Sequence, residues 1–344
     1  MRHLALSFAL ASLLLACGGK KQPVKPNPPP PPGDGETMKK DPDAGKGTTE
    51  KEPPMAKKEE PPPAPKGPDT GGYKLIAPSS LTYKPLDPKG EGGPELAVAS
   101  GDPQKGGAFF LKQPAGFKAP VHTHTSDYHA IVASGAPKHW LPGQEKQAKA
   151  LAPGSYWFQP GGQPHGDECT GKDPCVLYIV MPGAFDFTPT PDAKPGKPGK
   201  YTLIARKDVK FKPLDPKQPK GMKVGVVSGD MKTGPVAFIV ELPPGANAGL
   251  HSHTSEYHAL VLDGAPAHWL PHETGEGEAV AAGTYWYQPG GYDHGDRCTG
   301  TAPCHAFIMM PGGFDFKPGK GMEKKEENME KKEEKMEKKP APKK

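Results

Sequence analysis

Four histidines occur twice in this chain, with the same internal spacing in both copies. The first set is His122, His124, His129 and His165, and the second is His251, His253, His258 and His294. Imidazoles brought together from distant parts of a chain are costly to bury unless something binds their lone pairs, and metal ions do so. The repeat therefore predicts two metal sites, each held by four histidines.

Other short segments recur at a similar interval, which extends the duplication over the whole core. YKLIA at 73–77 returns as YTLIA at 201–205, and MPG with FDF at 181–187 returns at 310–316. Each copy is long enough to bury a core of its own. We therefore predict one domain at 73–190 and a second at 201–317, joined by a proline- and glycine-rich linker at 191–200.

Inside each copy, proline and glycine interrupt the sequence about every ten residues. The runs between them are short and favour strands, as in AFFL at 108–111 and VAFIV at 236–240. No part of the core keeps a helical period. Frequent turns between short strands predict an all-β sandwich or barrel.

Strand geometry places the histidines in one interior. His122 and His124 are separated by one residue, so a strand presents both side chains on the same face. His129 has the wrong parity for that face, and a turn or bulge at 125–127 must intervene if it joins them. His165 comes from a different hairpin, directly after a tight Pro-Gly-Gly turn.

The pattern HxHxxxxH followed by GxxxxxPxGxxH resembles the two signature motifs of the cupin superfamily. The second motif matches in full from Gly154 to His165 and from Gly283 to His294. Its repetition is similar to that of a bicupin. The resemblance implies two tandem double-stranded β-helix (jelly-roll) domains with a metal inside each barrel. It does not settle function, because the superfamily includes dioxygenases, isomerases, decarboxylases, sugar-binding proteins and storage proteins.

Two departures from the cupin pattern bear on the metal. Most cupins have glutamate where this chain has His129 and His258, and many have asparagine where it has Cys169 and Cys298. Four imidazoles would leave the charge of the cation uncompensated. We therefore expect a divalent transition metal (Fe, Zn, Ni, Cu or Mn) at two sites per chain, with an anionic or oxygen-bearing small-molecule ligand in an open position.

Acidic residues recur two positions before the third histidine of each set, as Asp127 and Glu256. They are the candidate catalytic groups, for which proton transfer is one interpretation and support of the metal ligands another. The capping of a turn explains them equally well.

Aromatic residues also recur beside the histidines. Tyr128 and Tyr257 can orient a ligand through their hydroxyls, although packing is the commoner role of a tyrosine on a strand. The repeated pair His-Trp, which begins at His139 and His268, is expected in a loop or at the rim of the site.

Four cysteines form two pairs with identical spacing, Cys169 with Cys175 and Cys298 with Cys304. In an exported protein this spacing predicts a disulfide that closes a hairpin. Thiolate ligation or a redox switch is the alternative, since Cys169 lies four residues from His165.

The first residues resemble a bacterial lipoprotein signal. A positive start is followed by an apolar run at 4–15 that is too short to span a bilayer, and LLAC at 14–17 resembles the lipobox. We therefore predict a signal peptide at 1–16 and lipidation of Cys17. The protein would then lie in the cell envelope, held on the periplasmic side of a membrane by its lipid.

The segments outside the two copies are polar and charged. Residues 17–72 are rich in Pro, Lys and Glu, a composition that predicts an extended linker. The tail at 318–344 repeats MEKKEE and is compatible with a solvated helix or with disorder. The formal net charge is only +5, and no basic face is interleaved with aromatics, so nucleic acid is not an expected partner.

The sequence thus predicts an envelope-anchored lipoprotein with two metal-binding domains that take a small ligand. A metal-dependent enzyme, such as a dioxygenase or an isomerase, is one alternative. A non-catalytic module that senses or stores a metal or ligand is the other.

Overall fold

Short strands make up almost all regular structure in the part of the chain that the computed structural model describes, residues 70–90 and 92–319. The strands of the first repeat are β1 (Lys74–Ile76), β2 (Lys84–Pro85), β3 (Glu95–Asp102), β4 (Gly106–Gln113), β5 (His122–Thr123), β6 (Tyr128–Ser134), β7 (Ala136–Trp140), β8 (Tyr156–Gln159), β9 (Gly166–Thr170), β10 (Cys175–Met181) and β11 (Thr188–Pro189). Those of the second are β12 (Thr202–Ile204), β13 (Lys212–Pro213), β14 (Lys223–Gly229), β15 (Val236–Leu242), β16 (Asn247–Ser252), β17 (Tyr257–Asp263), β18 (Pro266–Trp269), β19 (Tyr285–Gln288), β20 (His294–Cys298), β21 (Cys304–Met310) and β22 (Lys317–Pro318). The described residues also contain three 3₁₀ turns, which span Pro78–Ser80, Glu145–Gln147 and Arg206–Asp208.

The all-β prediction is confirmed. Among the described residues no helix is long and apolar enough to cross a membrane. The predicted signal peptide, Cys17, nearly all of the linker at 17–72 and nearly all of the tail at 318–344 lie outside the described residues.

Each repeat builds a jelly roll from one large antiparallel sheet and smaller facing sheets. The large sheets have the orders β12-β8-β6-β10-β4-β3-β2 and β1-β19-β17-β21-β15-β14-β13. In the first barrel the facing pairs β7-β9 and β5-β11 are linked by a bridge between His122 and His165. In the second barrel the facing sheet has the order β18-β20-β16-β22.

The first strand of each repeat lies in the sheet of the other repeat. β1 pairs with β19, where Leu75 lies opposite Trp286, and β12 pairs with β8, where Leu203 lies opposite Trp157. The repeat units at 73–190 and 201–317 therefore do not coincide with the sheets. The large sheet of each repeat contains the first strand of the other repeat in place of its own. This exchange covers an edge strand in both large sheets.

Alternation along the strands of the large sheets separates three apolar layers. In β6, Ala130 and Val132 point into the first barrel and pack with Trp157, whereas Ile131 points to the outer face. A matching cluster around Trp286 fills the second barrel. The outer faces of both large sheets share one further cluster, to which Ile131 and Phe307 belong, so the barrels pack against each other through their large sheets.

Both predicted disulfides are present. Cys169 is bonded to Cys175 and Cys298 to Cys304, with Cα atoms 5.6 and 5.7 Å apart. Each disulfide closes the connection between two strands of different sheets, β9 and β10 in the first barrel and β20 and β21 in the second, and not the hairpin expected from the sequence. All four sulfur atoms are occupied in these bonds. The thiolate ligation considered from the sequence has no place in this structure.

Candidate metal centres

Three of the four predicted histidines come together in each barrel. His122, His124 and His165 place one ring nitrogen each within 4.8 Å of the others, and in the second barrel His251, His253 and His294 do the same. We call these two groups the first and second triads. The members are the histidine pair spaced by two residues and the histidine after the Pro-Gly-Gly turn, as the sequence predicts, although β5 and β16 end one residue before His124 and His253.

Backbone carbonyls hold the imidazoles of the first triad in one orientation. His122 and His165 each donate an Nδ1–H to the carbonyl two residues earlier, at 2.8 and 3.1 Å. His124 donates to the carbonyl of Asp186. All three bonds recur in the second triad. This network assigns the proton to Nδ1 and leaves Nε2 without a proton, as a metal ligand requires.

Burial favours the neutral, ligating form of these rings. It lowers the pKa of His122 and His124, and it holds the pKa of His165 well below the usual range. In the second triad, burial acts in the same direction on the pKa of His253 and His294.

The Pro-Gly-Gly turn ties the two parts of each triad together. Gly162 N donates to the carbonyl of His124 at 2.7 Å, and Gly291 N donates to that of His253 at 2.8 Å. Both glycines have positive φ angles, 71° and 77°, which a side chain would strain. The turn thereby aims the following strand, with its histidine, back at the first pair.

His129 stays outside the first triad because strand parity directs it away. β6 begins at Tyr128, whose side chain takes the inward position, and its hydroxyl lies 3.2 Å from His165 Nε2. His129 therefore points to the outer face, where its Nδ1 lies 2.7 Å from the hydroxyl of Tyr156. The second barrel repeats both contacts, at 3.2 and 2.8 Å. The structure thus brings together three histidines per site, and His129 and His258 lie on the face shared by the barrels.

These two outer histidines give the fold a predicted pH dependence. Burial lowers the pKa of His129 and His258 to about 4, from an ordinary value of 6.5. Below pH 6.5 the unfolded chain binds protons that the folded chain does not, so stability falls as the pH drops through this window. We expect a loss of up to about 3 kcal/mol per histidine in the free energy of unfolding.

Urea unfolding across this pH window measures the effect. The double variant His129→Gln, His258→Gln should lose less stability on acidification than the wild type. Replacement of the solvent-exposed His272 by Gln is the matched control and should leave the slope unchanged. If the double variant kept the slope of the wild type, these histidines would not be buried in neutral form.

The candidate catalytic carboxylates face away from the triads. Asp127 is exposed and accepts a hydrogen bond from Gly161 N at 2.7 Å, which ties together the two turns of the site. Glu256 accepts one from the hydroxyl of Tyr287 at 2.6 Å. Neither carboxylate has a hydrogen bond to a triad histidine among the described residues. The turn-capping interpretation fits Asp127.

A different pair of acids faces the triads. Asp167 Oδ2 lies 3.9 Å from His122 Nε2, and Asp296 Oδ2 lies 3.6 Å from the Nε2 atoms of both His251 and His294. The signal for them is the repeated sequence His-Gly-Asp, in which residues two apart on a strand share a face. The sites therefore do contain an anionic group, although it stands at a position that the cupin signature does not mark.

The two barrels hold this aspartate differently. In the first, Gln113 Nε2 donates to Asp167, and burial raises the pKa of Asp167 to about 6. In the second, Leu242 occupies the place of Gln113, and Asp296 pairs instead with His268 Nδ1 at 2.8 Å. Burial would raise the pKa of Asp296, but the adjacent His268 and triad histidines lower it.

The repeated His-Trp pair does not lie in a loop or at the rim, and that expectation is wrong. His139 and His268 lie in β7 and β18, and both are buried. Their rings stack on Trp157 and Trp286 with centroids 4.7 and 4.9 Å apart. The ring of His139 lies 5.1 Å from that of His165, so these histidines form the wall behind the triads.

The repeated Phe-Asp-Phe sequence covers the open side of each triad. Phe187 stacks on His122 with centroids 4.3 Å apart while remaining 48% exposed. Asp186 supplies the carbonyl that orients His124 and accepts a hydrogen bond from Thr125 N at 2.9 Å. The second barrel repeats the stacking at 4.5 Å. The recurrence of this sequence was visible, but its role depends on contacts across some 60 residues that no local pattern indicates.

Comparisons with known proteins agree with this architecture. The family described as "ChrR Cupin-like domain" matches residues 200–310, and the family described as "Domain of unknown function (DUF4437)" matches residues 81–197. No curated protein matches the sequence.

Solved structures resemble the fold at low sequence identity. A Nostoc punctiforme PCC 73102 protein, provisionally described as a dioxygenase, superposes with a TM-score of 0.53 at 14% identity, over 69% of this chain and 82% of that one. Oxalate decarboxylase from Lactobacillus farciminis gives 0.46 at 15% identity, over 70% and 87%. AerE from Microcystis aeruginosa gives 0.46 at 14%, over 67% and 96%. The first likeness shows the fold alone.

Proposed function

Because this chain belongs to the cupin superfamily and carries two of its domains, we propose that each barrel binds one divalent transition metal ion through its histidine triad. The orientation of the triads is the observation that carries the proposal. Six imidazoles, five of them buried and that of His124 half-buried, donate Nδ1–H to backbone carbonyls and turn their Nε2 atoms toward one another. Three neutral nitrogen donors suit Fe, Zn, Ni, Cu or Mn better than Mg or Ca.

The same sites are proposed to take a small oxygen-bearing or anionic ligand. Three protein ligands leave coordination positions open, and a bound metal ion would act there as a Lewis acid toward such a ligand. Tyr128 and Asp167 are two polar groups that face the first triad. They would donate or accept hydrogen bonds that orient the ligand.

A metal-dependent enzyme, for example a dioxygenase or an isomerase, is the second candidate. The groups that face the triad and can donate or accept a proton favour it, since Tyr128 and Asp167 replace Asp127 in the role that the sequence suggested. Without turnover, the same geometry would serve a sensor or storage module for a metal or ligand.

We place the protein in the cell envelope, anchored to a membrane through Cys17. The lipobox-like LLAC sequence and the Pro-, Lys- and Glu-rich segment after it support this location. The lipid would hold the two barrels beside the membrane at the end of an extended linker.

Elemental analysis tests the metal proposal. Protein purified from its native envelope should contain near two transition metal ions per chain, one for each triad. A chelator should remove them, and uptake of the same metal should restore them. Protein that holds no transition metal after purification and takes up none afterwards would refute the proposal.

A further inference from the structure

We infer that the first barrel is the one that receives an organic ligand, a small molecule with an apolar body and a polar head that reaches both the metal and Gln113. The inference rests on the proposed function, because the head needs a metal ion to bind. It goes beyond that proposal in distinguishing the two sites and in naming the chemistry of the ligand.

The cavities beside the two triads differ in size. The cavity of the first barrel has a volume of about 390 Å³, against about 80 Å³ in the second. In the second barrel Leu242 and Met222 line the cavity and pack on the Cys298–Cys304 disulfide. A cavity of the first volume lies in the range that small organic ligands occupy.

Gln113 marks where a polar group of the ligand would sit. Its side chain is 2% exposed and lines the first cavity at the end of β4. Its Nε2 donates to Asp167, but its Oε1 has no hydrogen-bond partner among the described residues. A buried amide oxygen without a partner is costly, so a donor on a ligand would satisfy it. In the second barrel the equivalent residue, Leu242, offers no polar atom.

The other residues that line the first cavity indicate the chemistry of the apolar body of the ligand. Most of it is apolar, with Phe117, Leu177, Ile179 and Phe185 among the walls. Its charged residues are the acids Asp87 and Asp167, and no Lys or Arg is among the described residues that line it. A second anionic group, away from the metal, would therefore meet no counter-charge. A ring or short branched chain with one polar head fits this surface.

Two hydroxamates test whether the barrels differ. Both bind a metal ion through the same hydroxamate group, so they differ only in the group attached to it. Benzohydroxamate adds a phenyl ring where acetohydroxamate has a methyl group. The full chain, loaded with Co²⁺, is prepared in two forms that keep one triad each. The variant His251→Ala, His253→Ala keeps the first triad, and His122→Ala, His124→Ala keeps the second. Binding is followed by the change in the visible cobalt spectrum.

We expect the first triad to bind benzohydroxamate at least about tenfold more tightly than acetohydroxamate, because the ring enters the apolar cavity. The second triad should show a preference below about threefold, because its cavity is too small for the ring. Equal preferences in the two forms would overturn the assignment of the ligand to the first barrel.

Gln113→Met tests the polar contact while nearly conserving volume. It should weaken benzohydroxamate binding at the first triad about fivefold to tenfold, with cobalt content unchanged. The same change at the equivalent position, Leu242→Met, should alter binding at the second triad less than about twofold. Gln113→Leu, which copies the second barrel, replaces Gln113→Met if that variant does not fold.

Each failure has its own signature. A chain that takes up no cobalt refutes the metal proposal, and this inference falls with it. A form with the first triad alone that takes up its one cobalt ion but binds benzohydroxamate unchanged after Gln113→Met refutes the role of Gln113 and leaves the metal proposal intact.

Discussion

His122→Ala combined with His124→Ala is expected to lower the metal content from near two ions per chain to near one. Each barrel holds a complete triad of its own, so the loss should stay within the first. Removal of two of three nitrogen ligands should weaken binding far more than the 10- to 100-fold typical of groups that only support a ligand. Elemental analysis of the purified full chain measures the result.

The other histidines of the repeat supply the controls. A further change of His251 and His253 to Ala should leave a folded chain without metal, because disulfides and two apolar cores hold the barrels independently of any ion. His129→Ala should keep near two ions, since its ring faces Tyr156. An unchanged metal content in the first double variant would contradict the assignment of the triad as the metal ligands. Loss of one ion in His129→Ala would instead support the four-histidine site predicted from the sequence.

Cys17→Ser is expected to move the protein from the membrane fraction to the soluble fraction and to abolish labelling by fatty acid. Burial of each methylene of an acyl chain contributes about 0.8 kcal/mol, so several chains on one cysteine make anchorage durable. Without them, only weak contacts between the lysines of the linker and anionic lipid would remain. Fractionation and acyl labelling of the expressed variant measure the change.

A paired change in the folded part controls for loss of cysteine as such. Cys169→Ser with Cys175→Ser removes a disulfide of the first barrel but should leave both the label and the membrane association in place. A Cys17→Ser protein that still carried fatty acid and still fractionated with the envelope would show that the lipobox-like sequence is not the anchor.

Local rules were enough to predict the fold class and three histidines of each site. A spacing of two residues on a strand fixes a shared face, and a Pro-Gly-Gly turn fixes where the next strand begins. The prediction that His129 is a fourth ligand was wrong because of the alternation of side chains along β6. A turn between His124 and β6 does form, but the strand starts one residue before His129, so Tyr128 takes the inward position. A shift of one residue exchanges the two faces, and sequence does not fix strand ends that closely.

The remaining features of the site differ in how far they could be foreseen. Asp167 lies two residues after His165, and residues two apart on a strand share a face. It could therefore have been predicted from the sequence His-Gly-Asp. The bond between Gln113 and Asp167 joins residues 54 apart and depends on how two hairpins meet. The exchange of β1 and β12 between the two large sheets could not be predicted from the sequence for another reason. The sequences YKLIA and YTLIA are so alike that either suits either sheet.

That exchange has a consequence for how the molecule came to have two unlike sites. A single repeat that kept this pairing would need the first strand of another copy to cover the edge of its large sheet, as in a symmetric dimer. Fusion of two copies makes this pairing intramolecular and independent of protein concentration. Once the partner is encoded in the same chain, the two halves no longer need to be identical. One can keep an open cavity at Gln113 while the other closes it with Leu242.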